Sequence, residues 1–471
     1  MCFVHIFWAT FDLNLLLRIP FESFMLIIFP FVYRFWSSYF KKRKKKKGFI
    51  CFGDMEHLPV EVVGNILSSL GAARDVVKAS ATCSKWREAY RKHLHTLSFN
   101  SSDCPVYRHL PSSHPEILIT KTIFQTRGLE VLYILIDAVE FSAATVTCWL
   151  MYTREKLRRL SYNVRTTPSV NILEIFGGHK LESLVMAHNS ISGVYKRFPC
   201  LKSLSLSYVN ISPSDLSLLL IACRKIETLE LVGLEMATSD EELTVELISP
   251  TLKSLYVEAI SLDNLILEAD SIEHLNMKLC AIEDFEIVGK GTLKQFKADD
   301  VTLFHLDTVA TAENLENVDI RRFSLSWPKF YNMISRSSKL RRLRLWDMVV
   351  FKEEEIVDMD TIAVSFPLLT HFSLCYDLRV GAVHHVLQGG SSPLENLTVL
   401  ELGWSTIIDD FFSCWVERMV SRCPNLKKLV IRGFIPEVKN PKKCQMLSNF
   451  TSSIVELMKK YIDLEVQFYY E

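Results

Sequence analysis

The sequence predicts the α/β class, a solenoid of parallel strands preceded by a small helical unit. Three observations carry that prediction. The pattern L-x-x-L-x-L returns at one register along most of the chain. Phrases with helical spacing separate several of those returns. Residues 58–90 show helical periodicity and no repeat.

The repeats come first because they cover the most chain. "KLESLVMAHNSIS" (180–192), "CLKSLSLSYVNIS" (200–212), "TLKSLYVEAISL" (251–262), "KLRRLRLWDMVV" (339–350) and "NLTVLELGWSTI" (396–407) each fit the strand signature of a leucine-rich repeat. The units open at 129, 157, 181, 201, 226, 252, 272, 293, 315, 340, 369, 397 and 426, with steps of 20 to 29 residues, inside the leucine-rich range. Leucines at the first, fourth and sixth positions point inward, and each unit closes its apolar side only by stacking on its neighbours. "SPSDLSLLLIACRKI" (212–226) and "DDFFSCWVERMVSRCPNL" (409–426) carry apolar residues at helical spacing and predict helices on the convex side. The result is a leucine-rich-repeat horseshoe over residues 96–450, with a C-terminal cap at 451–471. "LHTLSF" (94–99) is a candidate first strand.

The helical unit occupies residues 55–95. Pro59 suits a first helical turn. Val62, Val63, Ile66, Leu67 and Leu70 then form an apolar stripe, and Gly71 is a stop signal. A second helix buries Val76, Val77 and Ala79, and a third carries Cys83, Trp86 and Tyr90. Three helices in so few residues make a core too small to stand alone. Neither a disulfide nor a metal site supplies the missing burial, so a partner chain or the next domain must do so.

Leu58-Pro59, Ile66-Leu67-Ser68, Leu70, Asp75-Val76 and Cys83 with Trp86-Arg87 resemble an F-box. Together with the repeats, the chain from 55 to 471 resembles the plant-type F-box/leucine-rich-repeat proteins. The resemblance implies that Leu58, Pro59, Val62, Ile66, Leu67, Leu70, Val76, Cys83 and Trp86 bind a Skp-type adaptor, which binds a cullin. It further implies that the repeats hold a target protein for ubiquitination, that the chain is not an enzyme, and that it works in the nucleus or cytoplasm.

Residues that flank the inward leucines line the concave face. They are bland in the early units (Val185, Ala187, Ser205, Ser207 and Tyr208) and sharpen later into Asp319, Arg321, Arg344, Trp346, Tyr376 and Trp404. Arg and aromatic side chains dominate binding hot spots, so these six are the candidate target contacts. The other reading has their rings packed against inter-repeat loops or the C-terminal segment.

Residues 1–54 break with this pattern. They carry nine Lys/Arg against three Asp/Glu, so residues 55–471 are left with 45 against 51. A mildly acidic body argues against a general nucleic-acid binder. The longest charge-free apolar core, Phe24 to Tyr33, is ten residues with Pro30 inside it, whereas a spanning helix needs roughly 20. A membrane role is therefore not expected. Either the segment is an extension upstream of a start at Met55, or "KKRKKKK" (41–47) is a targeting or membrane-surface patch.

Twelve cysteines sit singly with no C-x-x-C, which fits free thiols in a reducing compartment and gives no zinc motif. The sequence holds no Gly-rich phosphate loop and no G-x-S-x-G elbow. No cofactor is expected. The competing functional class is a leucine-rich-repeat scaffold or receptor that binds protein without ubiquitination.

Overall fold

The computed structural model describes residues 57–102, 113–193, 196–236, 243–307, 312–324, 327–346, 359–376, 392–404, 410–433 and 441–470. The chain divides into Met1–Pro59 and Val60–Glu471.

Three helices open the second unit: α1 (Val60–Leu70), α2 (Ala73–Ser80) and α3 (Ser84–His93). Gly64 lets α1 and α3 touch backbone to backbone, for a Cβ there would lie 2.4 Å from that of His93. The chain then enters β1 (Thr96–Asn100) directly. Ser98 donates its amide to the Gly71 carbonyl at 2.9 Å and pairs with Ala72, while the His95 amide donates to Ser68 Oγ. Leu94, Leu97 and Phe99 are buried, so the first strand supplies burial that the three helices lack.

After α4 (Ser113–Phe124) come β2 (Val131–Phe141), α5 (Ala143–Thr153), β3 (Arg159–Thr166), α6 (Ile172–Phe176), β4 (Ser183–Ala187), β5 (Ser190–Ile191), β6 (Ser203–Ser207), β7 (Asn210–Ile211), α7 (Pro213–Ala222) and β8 (Thr228–Val232). The middle holds β9 (Thr244–Ile248), β10 (Ser254–Glu258), β11 (Ser261–Glu268), β12 (His274–Val288), β13 (Gln295–Asp307) and β14 (Asn317–Ser324). The last part is α8 (Trp327–Ile334), β15 (Arg342–Trp346), α9 (Met359–Ser365), β16 (His371–Tyr376), β17 (Val399–Trp404), α10 (Asp410–Ser421), β18 (Lys428–Gly433), α11 (Pro441–Lys460) and β19 (Glu465–Tyr470). Every strand pairing is parallel. In each unit the fourth and sixth positions are buried, from Leu184 and Met186 through Leu343 and Leu345 to Leu429 and Ile431. The third, fifth and seventh positions therefore form three rows across the open face of the sheet.

Two regularities hold the units in step. The eighth position is left-handed in seven consecutive units: His188, Tyr208, Gly233, Ala259, Leu279, Asp300 and Arg322 all have φ between 47 and 58°. None is β-branched, as that conformation demands. It turns the chain out of the strand and into the return. At Gly233 an added Cβ would also meet the Tyr208 ring at 2.6 Å.

The second regularity is electrostatic. Glu130, Arg158, Glu182, Lys202, Glu227, Lys253, Glu273, Lys294, Glu316 and Arg341 occupy the second position of ten successive units and alternate in sign without a break. Each amide from Arg158 onward donates to the carbonyl of the residue before it in that series. Arg158 pairs with Glu182 at 3.0 Å, Lys253 with Glu227 at 2.9 Å and Lys294 with Glu273 at 2.8 Å.

Two expectations need correction. The convex side is helical at α7 and α10, as expected, but between β8 and β14 the described return segments are strands. β11 pairs with β9 and with the second half of β12, and the outer half of β12 with that of β13. The units opening at 252, 272 and 293, of 20 to 22 residues, leave little room for a helix, and phrases such as "SLDNLILE" alternate with period two. At the other end, the boundary between 450 and 451 falls inside α11, and the last residues extend the sheet as β19 beside β18.

Candidate functional site

Helix α1 divides its apolar stripe in two. Val63 and Leu67, one turn apart, are fully buried, whereas Val62, Ile66 and Leu70 lie beside them on the adjoining stripe, half-buried or exposed. On α2 Val76 is buried and Val77 is 41% exposed. Trp86 on α3 is half-buried and Cys83, at the N-cap of that helix, is exposed. Tyr90 turns the other way: its hydroxyl donates to the Thr122 carbonyl at 2.9 Å, and burial pushes its pKa up to about 12. The unit thus faces the repeats with one side and leaves apolar side chains half-covered on another.

The second candidate surface lies on the sheet between β14 and β19. Its centre is the Trp346 indole. The guanidinium of Arg344 sits 4.5 Å from the ring centroid, that of Arg432 at 5.3 Å and that of Arg321 at 5.8 Å. Arg432 also lies 4.4 Å from the Tyr469 ring. Beneath this platform a polar chain runs inward: Trp346 Nε1–H donates to Ser373 Oγ at 2.5 Å, and the Ser373 hydroxyl donates to Glu401 Oε2 at 2.8 Å.

Glu401, its side chain 13% exposed, also accepts from Arg344 at 3.2 Å and from Arg432 Nε. Burial pushes the Glu401 carboxyl up. The hydrogen bonds from Arg432 and Ser373 and the charges of both arginines outweigh burial and hold it below the usual carboxylate range. Arg344 further pairs with Asp319 at 3.7 Å. Strand register explains how Arg432 reaches an indole three strands away. The row reads Arg321, Trp346, Cys375, Gly403, Arg432, Tyr469. Gly403 offers no side chain, and a Cβ there would collide with Cys375 Sγ at 2.6 Å.

Comparison with known proteins agrees with both halves. An F-box-like profile matches residues 55–96, and the profile described as "FBD-associated F-box protein At5g56370, LRR repeats" matches residues 150–286. The F-box/LRR-repeat protein At1g67190 of Arabidopsis thaliana is 64% identical over 421 residues, 88% of this chain and all of that protein. The chain belongs to the F-box/leucine-rich-repeat family. The F-box protein At1g10780 of Arabidopsis thaliana is a more distant relative, 22% identical over 305 residues, 61% of this chain and 69% of that protein.

Within this F-box/leucine-rich-repeat chain, the residues singled out from sequence fall into groups. Of the adaptor candidates, Pro59, Val62 and Cys83 are exposed, and Leu58, Ile66, Leu70 and Trp86 are half-buried. Leu67 and Val76 have no exposed surface and lie in the interior of the F-box helices. Val77 takes the surface position one residue on; only the phase of α2 separates it from Val76.

Of the six target candidates, Asp319, Arg321, Arg344 and Trp346 meet in the cluster. Tyr376 and Trp404 pair with each other, one register position past the row of Trp346, which continues through Cys375 and Gly403. They do not share a row with Trp346. Sequence reading missed Glu401, Ser373, Arg432 and Tyr469. Arg432 was accessible to it, since it holds the seventh position of the unit opening at 426. Among the described residues there is no cluster of His, Cys, Asp and Glu able to hold a metal, and no helix long and apolar enough to cross a membrane.

Proposed function

We propose that this protein is the substrate-recognition subunit of a Skp–cullin–F-box ubiquitin ligase, working in the nucleus or cytoplasm. Its F-box binds a Skp-type adaptor and through it a cullin. The late repeats, around Trp346, hold the target protein. The chain itself makes and breaks no covalent bond; its work is to place one protein beside the machinery carried by another.

The observation that carries this reading is the divided stripe of α1, on a helical unit that matches the F-box-like profile. Val62, 38% exposed, and Val77, 41% exposed, are apolar side chains that a helix-packing partner would cover. Copurification with a Skp-type adaptor tests it. The wild-type chain should form a stable complex, and a Val62→Glu/Val77→Glu variant with unchanged far-ultraviolet circular dichroism should lose it. A variant that binds as well as wild type would overturn the reading. The Leu58→Ala/Pro59→Ala/Trp86→Ala variant tests the adaptor residues that the sequence singles out.

A further inference from the structure

The target surface has a charge of its own. Five cations stand in the three open-face rows of β14 to β18: Arg321, Arg342, Arg344, Lys428 and Arg432. Two carboxylates share those rows, Asp319 and Glu401, and both are already engaged by Arg344 or Arg432, while Glu465 on β19 lies 4.0 Å from Lys428. Arg321 and Arg342 are exposed and have no carboxylate partner among the described residues. The surplus is local, because residues 55–471 as a whole carry more acidic than basic groups. The preceding strands show the contrast: on β8, β10, β12 and β13 the same rows hold Glu230, Glu258 and Asp299 against Lys278 and Lys297, with Lys278 paired to Glu258 at 2.6 Å.

Resting on the target-binding reading above, we infer that the partner of this surface is an acidic extended segment of a protein, laid across strands β14 to β18 over Trp346. Parallel strands lie roughly 4.8 Å apart, so the four gaps from β14 to β18 span about 19 Å, the reach of roughly six extended residues. Carboxylates at one end meet Arg321 and Arg342, whose N–H groups have no acceptor among the described residues. Carboxylates at the other meet Lys428 and the outer edge of Arg432. Between them the chain crosses the indole, where an apolar or aromatic side chain stacks. The platform is fixed before the partner arrives, because Glu401, Ser373 and the absence of a side chain at Gly403 hold Arg344, Arg432 and Trp346 together. Little ordering is left for the binding step to cost.

The test uses the full chain in complex with its adaptor and three fluorescent probes: a peptide of alternating Glu and Leu, the same peptide with Gln for Glu, and a single-stranded oligonucleotide of equal charge. Fluorescence anisotropy should show the Glu peptide binding at least about tenfold more tightly than the other two. Its affinity should weaken about tenfold or more in an Arg321→Gln/Arg342→Gln variant, whose adaptor complex stays intact. Equal binding of the Gln peptide or the oligonucleotide would overturn the inference. So would retention of Glu-peptide affinity in the variant, which would assign it to Lys41–Lys47. Adaptor copurification read on the same samples separates the two ideas. Loss of the adaptor with Arg-dependent peptide binding kept would sink the ligase assignment alone.

Discussion

The units opening at 181 to 315 and those opening at 340 to 426 share one interior and differ everywhere else. Inside, both bury the fourth and sixth positions completely or nearly so. Outside, the early units follow rules: a left-handed eighth residue, an alternating charge at the second position, and small or mixed residues in the seventh-position row (Ala187, Ser207, Val232). In the late units the second and third of these rules lapse. The charge ladder ends at Arg341 and is followed by Thr370 and Thr398, the steps lengthen to 28 and 29 residues, and the row becomes Trp346, Cys375, Gly403, Arg432.

Ion pairing changes character with it. In the early units exposed charges link one strand to the next along an edge. In the late units one mostly buried carboxylate ties β15, β16, β17 and β18 together from the open face. Stacking specifies the interior alone, so the face is free to diverge. Here the divergent face has also taken over part of the cross-linking that the ladder performs elsewhere.

If the two regions are one stack, emptying the interior should cost the same in both. Leu204→Ala and Leu345→Ala each remove a fully buried side chain. Each should cost about 2–5 kcal/mol in urea unfolding followed by circular dichroism. A late variant costing under half as much as the early one would mean that the late units are a separately and loosely held region, and the comparison would fail.

Much of this was legible in the sequence because the repeat imposes it. Leucines at fixed spacing announce the strands, and "LHTLSF" announced the strand that completes the F-box core. What stayed hidden depended on phase or distance. Val76 and Val77 are equally apolar, and only the seating of α2 buries one and exposes the other. Tyr376 and Trp404 sit at the eighth position and Trp346 at the seventh, a difference of one residue that strand register turns into a different row. Arg344 and Glu401 are 57 residues apart, and no local pattern joins them. The middle returns read poorly because short alternating phrases in short units leave helix and strand undecided until the neighbouring strands are in place. The charge ladder was in plain view at one residue per unit. It is invisible to any window shorter than two units.

The cluster offers a sharper cut between the regions. Glu401→Gln keeps the shape, removes the charge and turns one of the two acceptor oxygens that face Arg344, Arg432 and Ser373 into an N–H donor. The expected loss is roughly 1–3 kcal/mol of stability at neutral pH. The pH dependence carries the sign. The folded carboxyl titrates below the ordinary glutamate value of 4.5, so its contribution is fully present above that value and disappears as the pH falls through its lowered folded value. Wild-type and variant stability curves should therefore run apart at neutral pH and converge on acidification. Parallel curves down to low pH would show that the carboxylate does not hold the cluster.

The ladder should yield the smallest effect, and the one most specific to the early region. Lys253→Glu sets three like charges in line with Glu227 and Glu273, where wild type has alternation. Lys427→Glu makes the same chemical change at the same position of a late unit, whose preceding second-position residue is Thr398. Both sites are at the surface, so neither change should disturb packing. The first should lower the thermal midpoint by on the order of 1–2 °C and the second should leave it unmoved. In about 0.5 M salt the difference should vanish, because exposed charges are screened at that ionic strength while packing is not. Equal shifts at the two positions would reduce the ten-unit alternation to a surface pattern without a mechanical role. A salt-sensitive shift confined to Lys253 would make it a register code: a unit slipped by one place along the stack meets like charge on both sides, and the ladder penalises that misassembly over the whole length where it runs.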